Sequence, residues 1–223
     1  MEQPTKYDLH AEKYSTIFLE KNQKATDIYH SQFDLDLANK KLLDLGCGDG
    51  HDLNTFSKRG ASVYGIDASS SMVTLALQHT ENKAEIKEAY FENVPFPDNF
   101  FDIVCSKYAL QASPDMQPIF QEVNRVLKPG GSFIFLVGHP IYQFLEKRKH
   151  PKDYFLKEII DVKIFDGQFE IREPTHTLSE YISSYFIRHF ELNVYIEEAE
   201  DSIERINGDI YPAFLLIKSK KKF

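Results

Sequence analysis

Disulfide chemistry is nearly absent from this chain, which has two cysteines in 223 residues. Cys47 sits among glycines and Cys105 in an apolar run, contexts too unlike to read as a pair. Both are expected to be buried thiols, as in a reducing compartment. No apolar run approaches the ~18 residues that a bilayer crossing needs. The N-terminus shows no leader of charged, apolar and small-residue regions. These absences disfavour secretion and membrane spanning, and the expectation is a cytoplasmic protein with no membrane partner. Basic residues are also in deficit, 26 Lys and Arg against 34 Asp and Glu for a net charge of −8. That balance argues against a nucleic-acid partner, because phosphate binding relies on a concentrated Lys/Arg surface. The one basic run, Lys218 to Lys222, reads as a solvated, frayed tail rather than an RNA arm. Internal repeats and low-complexity segments are missing, and no metal site is expected. With 42% hydrophobic residues the chain can bury a core, and its length fits a single domain over 1–223.

Against these absences one segment stands out, Leu42-Leu43-Asp44-Leu45-Gly46-Cys47-Gly48-Asp49-Gly50. An apolar run reads as a buried strand, stops at glycines, and gives way to a polar amphipathic stretch. A strand turning through glycines into a helix lets backbone N–H groups approach a ligand with no Cβ in the way. The spacing is Gly-x-Gly-x-Gly, and His51 occupies the third glycine position of a dinucleotide fingerprint. A nicotinamide-dependent oxidoreductase is therefore disfavoured. Asp67 closes a second apolar run, Ala61 to Ile66. A carboxylate at that strand end can accept both hydroxyls of a ribose.

Further along, the pattern predicts a helix near 52–60, a strand at 62–66, a helix at 70–79, a weak strand near 84–89 and a strand at 101–105. A helix at 115–127 follows, with Ile119, Phe120, Val123, Val126 and Leu127 on one face. Lys128-Pro129-Gly130-Gly131 ends it and launches a strand at 132–137. Residues 139–188 break this rhythm, mixing aromatic and charged residues before an expected helix at 178–188. Phe190–Ile196 and Tyr211–Ile217 read as two more strands. The alternation implies an α/β, doubly wound, mostly parallel sheet.

Four blocks, LLDLGCGDG (42–50), VYGIDASSSMVTLA (63–76), ENVPFPDNFFDIVCSKYALQ (92–111) and EVNRVLKPGGSFIFLV (122–137), resemble the class I S-adenosylmethionine-dependent methyltransferases. The kind they resemble is the small-molecule, type 11 family related to the quinone-biosynthesis C-methyltransferases. The resemblance covers about 40 to 140. It implies a Rossmann-like sheet of seven strands with the last antiparallel, N-terminal lid helices over 1–38, and a substrate-cap insert over 139–188. It implies S-adenosyl-L-methionine as cofactor and a small-molecule methyl acceptor, in a monomer or homodimer. Gly46, Cys47 and Gly48 would pass their backbone against the cofactor's methionine part and ribose. Asp44 would order the turn or accept from the cofactor's amino group, and Asp67 would hold the ribose. Ala68 would line the adenine, and Met72 would do so or pack the core. Where relatives carry Gly-Asp-Ala-Glu, this chain has Ala89-Tyr90-Phe91-Glu92, so Tyr90 stands in for an acid at the adenine edge and Phe91 is placed to stack on the purine. Ser106 and Lys107 would meet the methionine carboxylate or amine, although Lys107 also reads as an exposed loop lysine.

Methyl transfer from a sulfonium needs alignment and water exclusion more than a fixed catalytic triad. Three candidates for a catalytic role remain. Tyr14, in Tyr7-x-x-x-Ala11-x-x-Tyr14, resembles the family's lid segment. His139 follows the fifth strand at the carboxyl end of the sheet, as a base or as packing. His176 lies in a His-x-Thr-Leu stretch similar to one in relatives, beside Thr177 as a helix N-cap. Two alternatives to small-molecule methylation are a non-catalytic cofactor-binding protein and a methyltransferase acting on tRNA or protein.

Overall fold

The computed structural model describes residues 22–164, 167–199 and 209–223. It begins with helix α1 (Gln23–His30), followed by β1 (Lys41–Leu45), α2 (His51–Lys58), β2 (Ser62–Asp67), α3 (Ser70–His79), β3 (Glu85–Glu88) and β4 (Phe101–Lys107). After a 3-10 turn at Leu110–Ala112 come α4 (Met116–Val126) and β5 (Leu127–Gly138). Helical turns over Pro140–Lys147 lead to β6 (Ile159–Ile164) and β7 (Phe169–Pro174). The chain then runs through α5 (Leu178–Tyr181), α6 (Ser184–His189), β8 (Phe190–Glu198) and β9 (Phe214–Lys221).

The main sheet has seven strands in the order β3-β2-β1-β4-β5-β9-β8. β1 to β5 are mutually parallel, and β9 runs antiparallel to both of its neighbours. This is the Rossmann-like arrangement expected, with the last strand reversed. Central strands here are buried on both faces, so their sequences are apolar without strict alternation. Leu43, Leu45, Val104, Phe133 and Phe135 face one layer with α4 and α6. Leu42, Ile103, Cys105, Ile134 and Leu136 face the other, with α1 and α2.

The helices start where the sequence caps them. In α3 the Ser69 hydroxyl accepts from Met72 N, and in α4 Asp115 accepts from Gln117 N, each satisfying an orphan donor of the first turn. Met116, Ile119, Phe120, Val123 and Val126 then form the buried stripe of α4.

Three expectations are corrected, and one segment holds a small sheet that the sequence pattern did not predict. The helix expected at 178–188 is two helices: Thr177 and Glu180 form a capping box for α5, and Ser183 caps a fresh start, accepting from Phe186 N. β5 begins at Leu127, so the Lys-Pro-Gly-Gly segment already lies in the strand. The segment 139–188 contains a two-stranded antiparallel sheet, β6 with β7. The basic run is no frayed tail: Lys218 to Lys221 belong to β9, the Lys218 ammonium donates to Gln32 O at 2.6 Å, and Lys221 donates to Asn124 O at 2.6 Å and Leu127 O at 2.8 Å.

Phe120 joins α4 to the sheet, 6.2 Å from both Phe133 and Phe135, and to α6, 5.3 Å from Phe186 (ring centroids). Phe120→Ala is expected to lower stability by about 3–5 kcal/mol in urea unfolding, and a loss below about 1 kcal/mol would contradict this packing.

Candidate active site

The carboxyl ends of β1, β2 and β4 meet at the glycine turn that leads into α2. Gly46 N and Cys47 N donate to Ile66 O at 2.8 and 3.0 Å, which ties the turn to the end of β2. Gly48 N donates to Asp67 Oδ2 at 2.9 Å, and Ser69 N donates to Asp67 Oδ1 at 2.9 Å. The carboxylate thus sits fixed at the mouth of the turn. Gly46 has φ +75°, and a Cβ there would fall 2.3 Å from Ala109 Cβ and 3.4 Å from the Phe91 ring. Gly48 has φ +52°, and a Cβ there would meet nothing within 4 Å. The first glycine permits a close approach of chain segments, and the second leaves open space over exposed backbone.

The other expected binding residues divide. Phe91 lies against the turn, Ala68 is half-buried just beyond Asp67, and Tyr90 is 54% exposed. Met72 is buried in α3. Cys47 is buried with its sulfur toward Gly65, so only its backbone faces the turn. Ser106 departs from its expected role. It is fully buried, and its hydroxyl donates to Leu45 O at 2.7 Å, a strand-to-strand bond that leaves it facing the sheet.

Beneath the turn lies a charge cluster that the sequence reading did not assemble. The Lys107 ammonium is 2.8 Å from Asp52 Oδ2 and 2.9 Å from Oδ1, and both side chains are buried. Lys107 is therefore no exposed loop lysine. His30 Nε2 from α1 lies 2.9 Å from Asp52 Oδ1. Burial alone would raise Asp52, but Lys107 and His30 outweigh it and hold the carboxyl below the usual carboxylate range. Asp44, on β1, has the opposite fate: burial and then the Asp52 charge push its carboxyl well up. Its Oδ1 is buried and has no hydrogen-bond partner among the described residues. Asp52 in the first turn of α2 was legible as a helix-terminal acid. Nothing in the sequence signalled His30.

The two histidines are placed differently. His139 follows β5, with Nδ1 accepting from Ile141 N at 3.1 Å and Nε2 lying 2.8 Å from Glu197 Oε1. Both ring nitrogens are engaged, and burial pulls its pKa down, so it holds a chain turn. His176 is buried. Its Nε2 faces Gln111 O at 3.1 Å and so carries the proton, while Nδ1 has no hydrogen-bond partner among the described residues. Burial likewise lowers its pKa. Tyr14 and the lid segment up to residue 21 lie outside the described residues. Among the described residues no cluster of His, Cys, Asp and Glu could hold a metal, and no helix is long and apolar enough to cross a membrane.

Removing Lys107 would leave Asp52 buried with only His30 opposite. Lys107→Met is expected to destabilise the fold by about 3–5 kcal/mol at pH 7. Because the Asp52 pKa is depressed in the folded state, its contribution is present above the unfolded carboxylate range and fades as the pH falls. The gap between variant and wild type in urea unfolding should therefore narrow in acid; a gap independent of pH would contradict the pairing.

Residues 43–135 match the family model described as the methyltransferase domain. An uncharacterized methyltransferase, YcgJ, of Bacillus subtilis (strain 168) is 30% identical over 152 residues, 66% of this chain and 54% of that protein. A fatty-acid O-methyltransferase of Mycolicibacterium smegmatis is 30% identical over 131 residues, 57% of this chain and 48% of that protein. The chain thus spans about half the length of these curated relatives. The crystal structure of an S-adenosylmethionine-dependent methyltransferase from Mesorhizobium loti superposes with TM-score 0.71 at 23% identity, covering 87% of this chain and 96% of that one. Sheet order and glycine turn agree with this likeness, and over residues 43–135 the chain is similar to the methyltransferase domain.

Proposed function

We propose that this protein transfers a methyl group from S-adenosylmethionine to a small organic molecule by in-line displacement, as a cytoplasmic enzyme. The observation that carries the reading is the Asp67 carboxylate fixed at the mouth of an open glycine turn. The residues present fit the cofactor. Asp67 would accept from the ribose hydroxyls, and the backbone over Gly46–Gly48 would lie along the methionine part. The orphaned Asp44 Oδ1 suits a ligand ammonium, which would supply the missing hydrogen bond and stabilise the ionised carboxyl. Lys107, held by Asp52, would add positive charge near the methionine carboxylate. Phe91 would lie against the purine or the sulfonium side of the turn.

When bound, S-adenosylmethionine supplies a methyl group on a positively charged sulfur that is already a good leaving group. The chain's own work is to align, enclose and, where the acceptor needs it, remove a proton. The cap built from 139–188 and the lid containing Tyr14 would close over the acceptor. A fatty-acid O-methyltransferase among the relatives supports an organic acceptor, and the net charge of −8 weighs against tRNA.

Tyr90 favours a second reading, a binding protein without turnover, because an exposed phenol replaces the acid expected at the adenine edge. Titration calorimetry and a tritiated-methyl screen separate the two. Wild-type protein should bind S-adenosylhomocysteine, and labelled methyl should pass to a metabolite fraction. Binding without transfer would favour the second reading, and no binding at millimolar ligand would end both. Asp67→Ala should weaken S-adenosylhomocysteine about tenfold or more, about 1.4 kcal/mol; unchanged affinity would contradict the assignment of the ribose site.

A further inference from the structure

Beside the glycine turn lies a second polar cluster that neither the fold nor the cofactor explains. Ala109 abuts Gly46, and two residues on, Gln111 sits in the 3-10 turn after β4, against which β7 packs. Gln143, from the helical turn after β5, binds the group together: its Nε2 donates to Glu173 Oε1 at 3.1 Å and to Pro174 O at 3.0 Å. Its Oε1 accepts from His176 N at 3.2 Å. His176 Nε2 in turn donates to Gln111 O at 3.1 Å. Three separate elements are therefore locked around one spot at the carboxyl end of the sheet.

The locked arrangement leaves acceptors bare. Gln111 Nε2 donates to Tyr108 O at 3.1 Å, which fixes the amide and leaves Oε1 buried with no partner among the described residues. The buried His176 Nδ1 is bare in the same sense, with the Glu180 carboxylate 3.7 Å away and beyond hydrogen-bond reach. Native proteins rarely orphan buried polar atoms, so two in one cluster call for a ligand that brings donors. Glu173 adds a third acceptor. It keeps some contact with solvent, yet burial pushes its carboxyl up to about 7 against the pull of Lys147 and Gln143. Lys147 from the turn after β5 and Tyr181 from α5 are the titratable groups that face it. The buried Tyr181 ring lies 5.5 Å from that of His176 and adds an aromatic group to the cluster.

We infer that Gln111, Glu173 and His176 form the methyl-acceptor site, that the acceptor is an amine, and that Glu173 takes its proton. This rests on the methyltransferase reading above. Gln111 Oε1, His176 Nδ1 and the Glu173 carboxylate outnumber the cation beside Glu173, Lys147, which donates to Lys163 O at 3.2 Å; such a set of acceptors fits an ammonium with several N–H groups better than a carboxylate. The amine arrives protonated and gives one proton to the Glu173 carboxylate. Its freed lone pair forms the new nitrogen–carbon bond as the sulfur–carbon bond breaks, with that electron pair remaining on sulfur. The products are the N-methylated ammonium and S-adenosylhomocysteine, with the proton on Glu173 released to water. A carboxyl titrating near neutrality is matched to this transfer.

The test uses benzylamine, an alkylamine bearing a phenyl ring, titrated into the full chain with and without saturating S-adenosylhomocysteine. His176 ring resonances and calorimetric heats are the readouts. Wild-type protein should show a saturable His176 shift, with affinity about tenfold weaker in Glu173→Gln and about threefold weaker in Gln111→Met. Both variants should bind S-adenosylhomocysteine within about twofold of wild type. Gln111→Met decides the matter if Glu173→Gln does not fold. The inference is overturned if benzylamine leaves His176 unmoved, or binds either folded variant as tightly as wild type. Failure of S-adenosylhomocysteine to bind wild type would instead overturn the cofactor reading, and titration of the unloaded protein still decides this site.

Discussion

One backbone N–H holds the centre of this molecule together: Gly48 N donating to the Asp67 carboxylate. The bond joins the turn after β1 to the end of β2 and sets a negative charge beside backbone that no side chain covers. It needs a left-handed residue at Gly48, a close approach at Gly46 and parallel neighbours whose carboxyl ends are level. The doubly wound sheet supplies that last condition, because consecutive parallel strands end on the same side. Ligands of such sheets bind outside those ends, where the strand order reverses. Here the reversal falls between β1 and β4, directly beside the turn.

Below the turn the electrostatics are arranged in two tiers. Asp52 is ionised and matched by Lys107 and His30, whereas Asp44 is buried, raised and left with a bare oxygen. A buried carboxylate oxygen without a hydrogen-bond partner is unfavourable in isolation. It becomes intelligible beside a site that receives a cation, since the arriving charge supplies the missing hydrogen bond and favours the ionised carboxyl. The cap side repeats the theme with Gln111, Glu173 and His176. Each cluster leaves a buried acceptor without a hydrogen-bond partner among the described residues.

Much of this was legible in the sequence wherever the signal is local. The glycine spacing, Asp67 at its strand end, α3 at 70–79 and the α4 stripe are set by neighbours within a few residues, and the structure has them there. What could not be read depends on partners far along the chain. Ser106 looked like a ligand contact but meets Leu45 O, 61 residues earlier, across the sheet. Lys107 looked exposed but meets Asp52 on another element. The β6–β7 pair escaped notice because apolar Ile159 is exposed and the buried Val162 stands between the exposed Asp161 and Lys163, so no apolar run marks the strand. The split between α5 and α6 turns on Ser183, one capping serine among several polar residues.

On the proposed function, the two carboxyls at the turn grip an adenosyl amino-acid ligand, with Asp44 receiving its ammonium. Asp44→Asn keeps the shape of the side chain and removes its capacity for negative charge. Calorimetry of S-adenosylhomocysteine binding at pH 7 should show the folded variant about tenfold or more weaker than wild type. Equal affinity in a variant that unfolds in urea like wild type would contradict it.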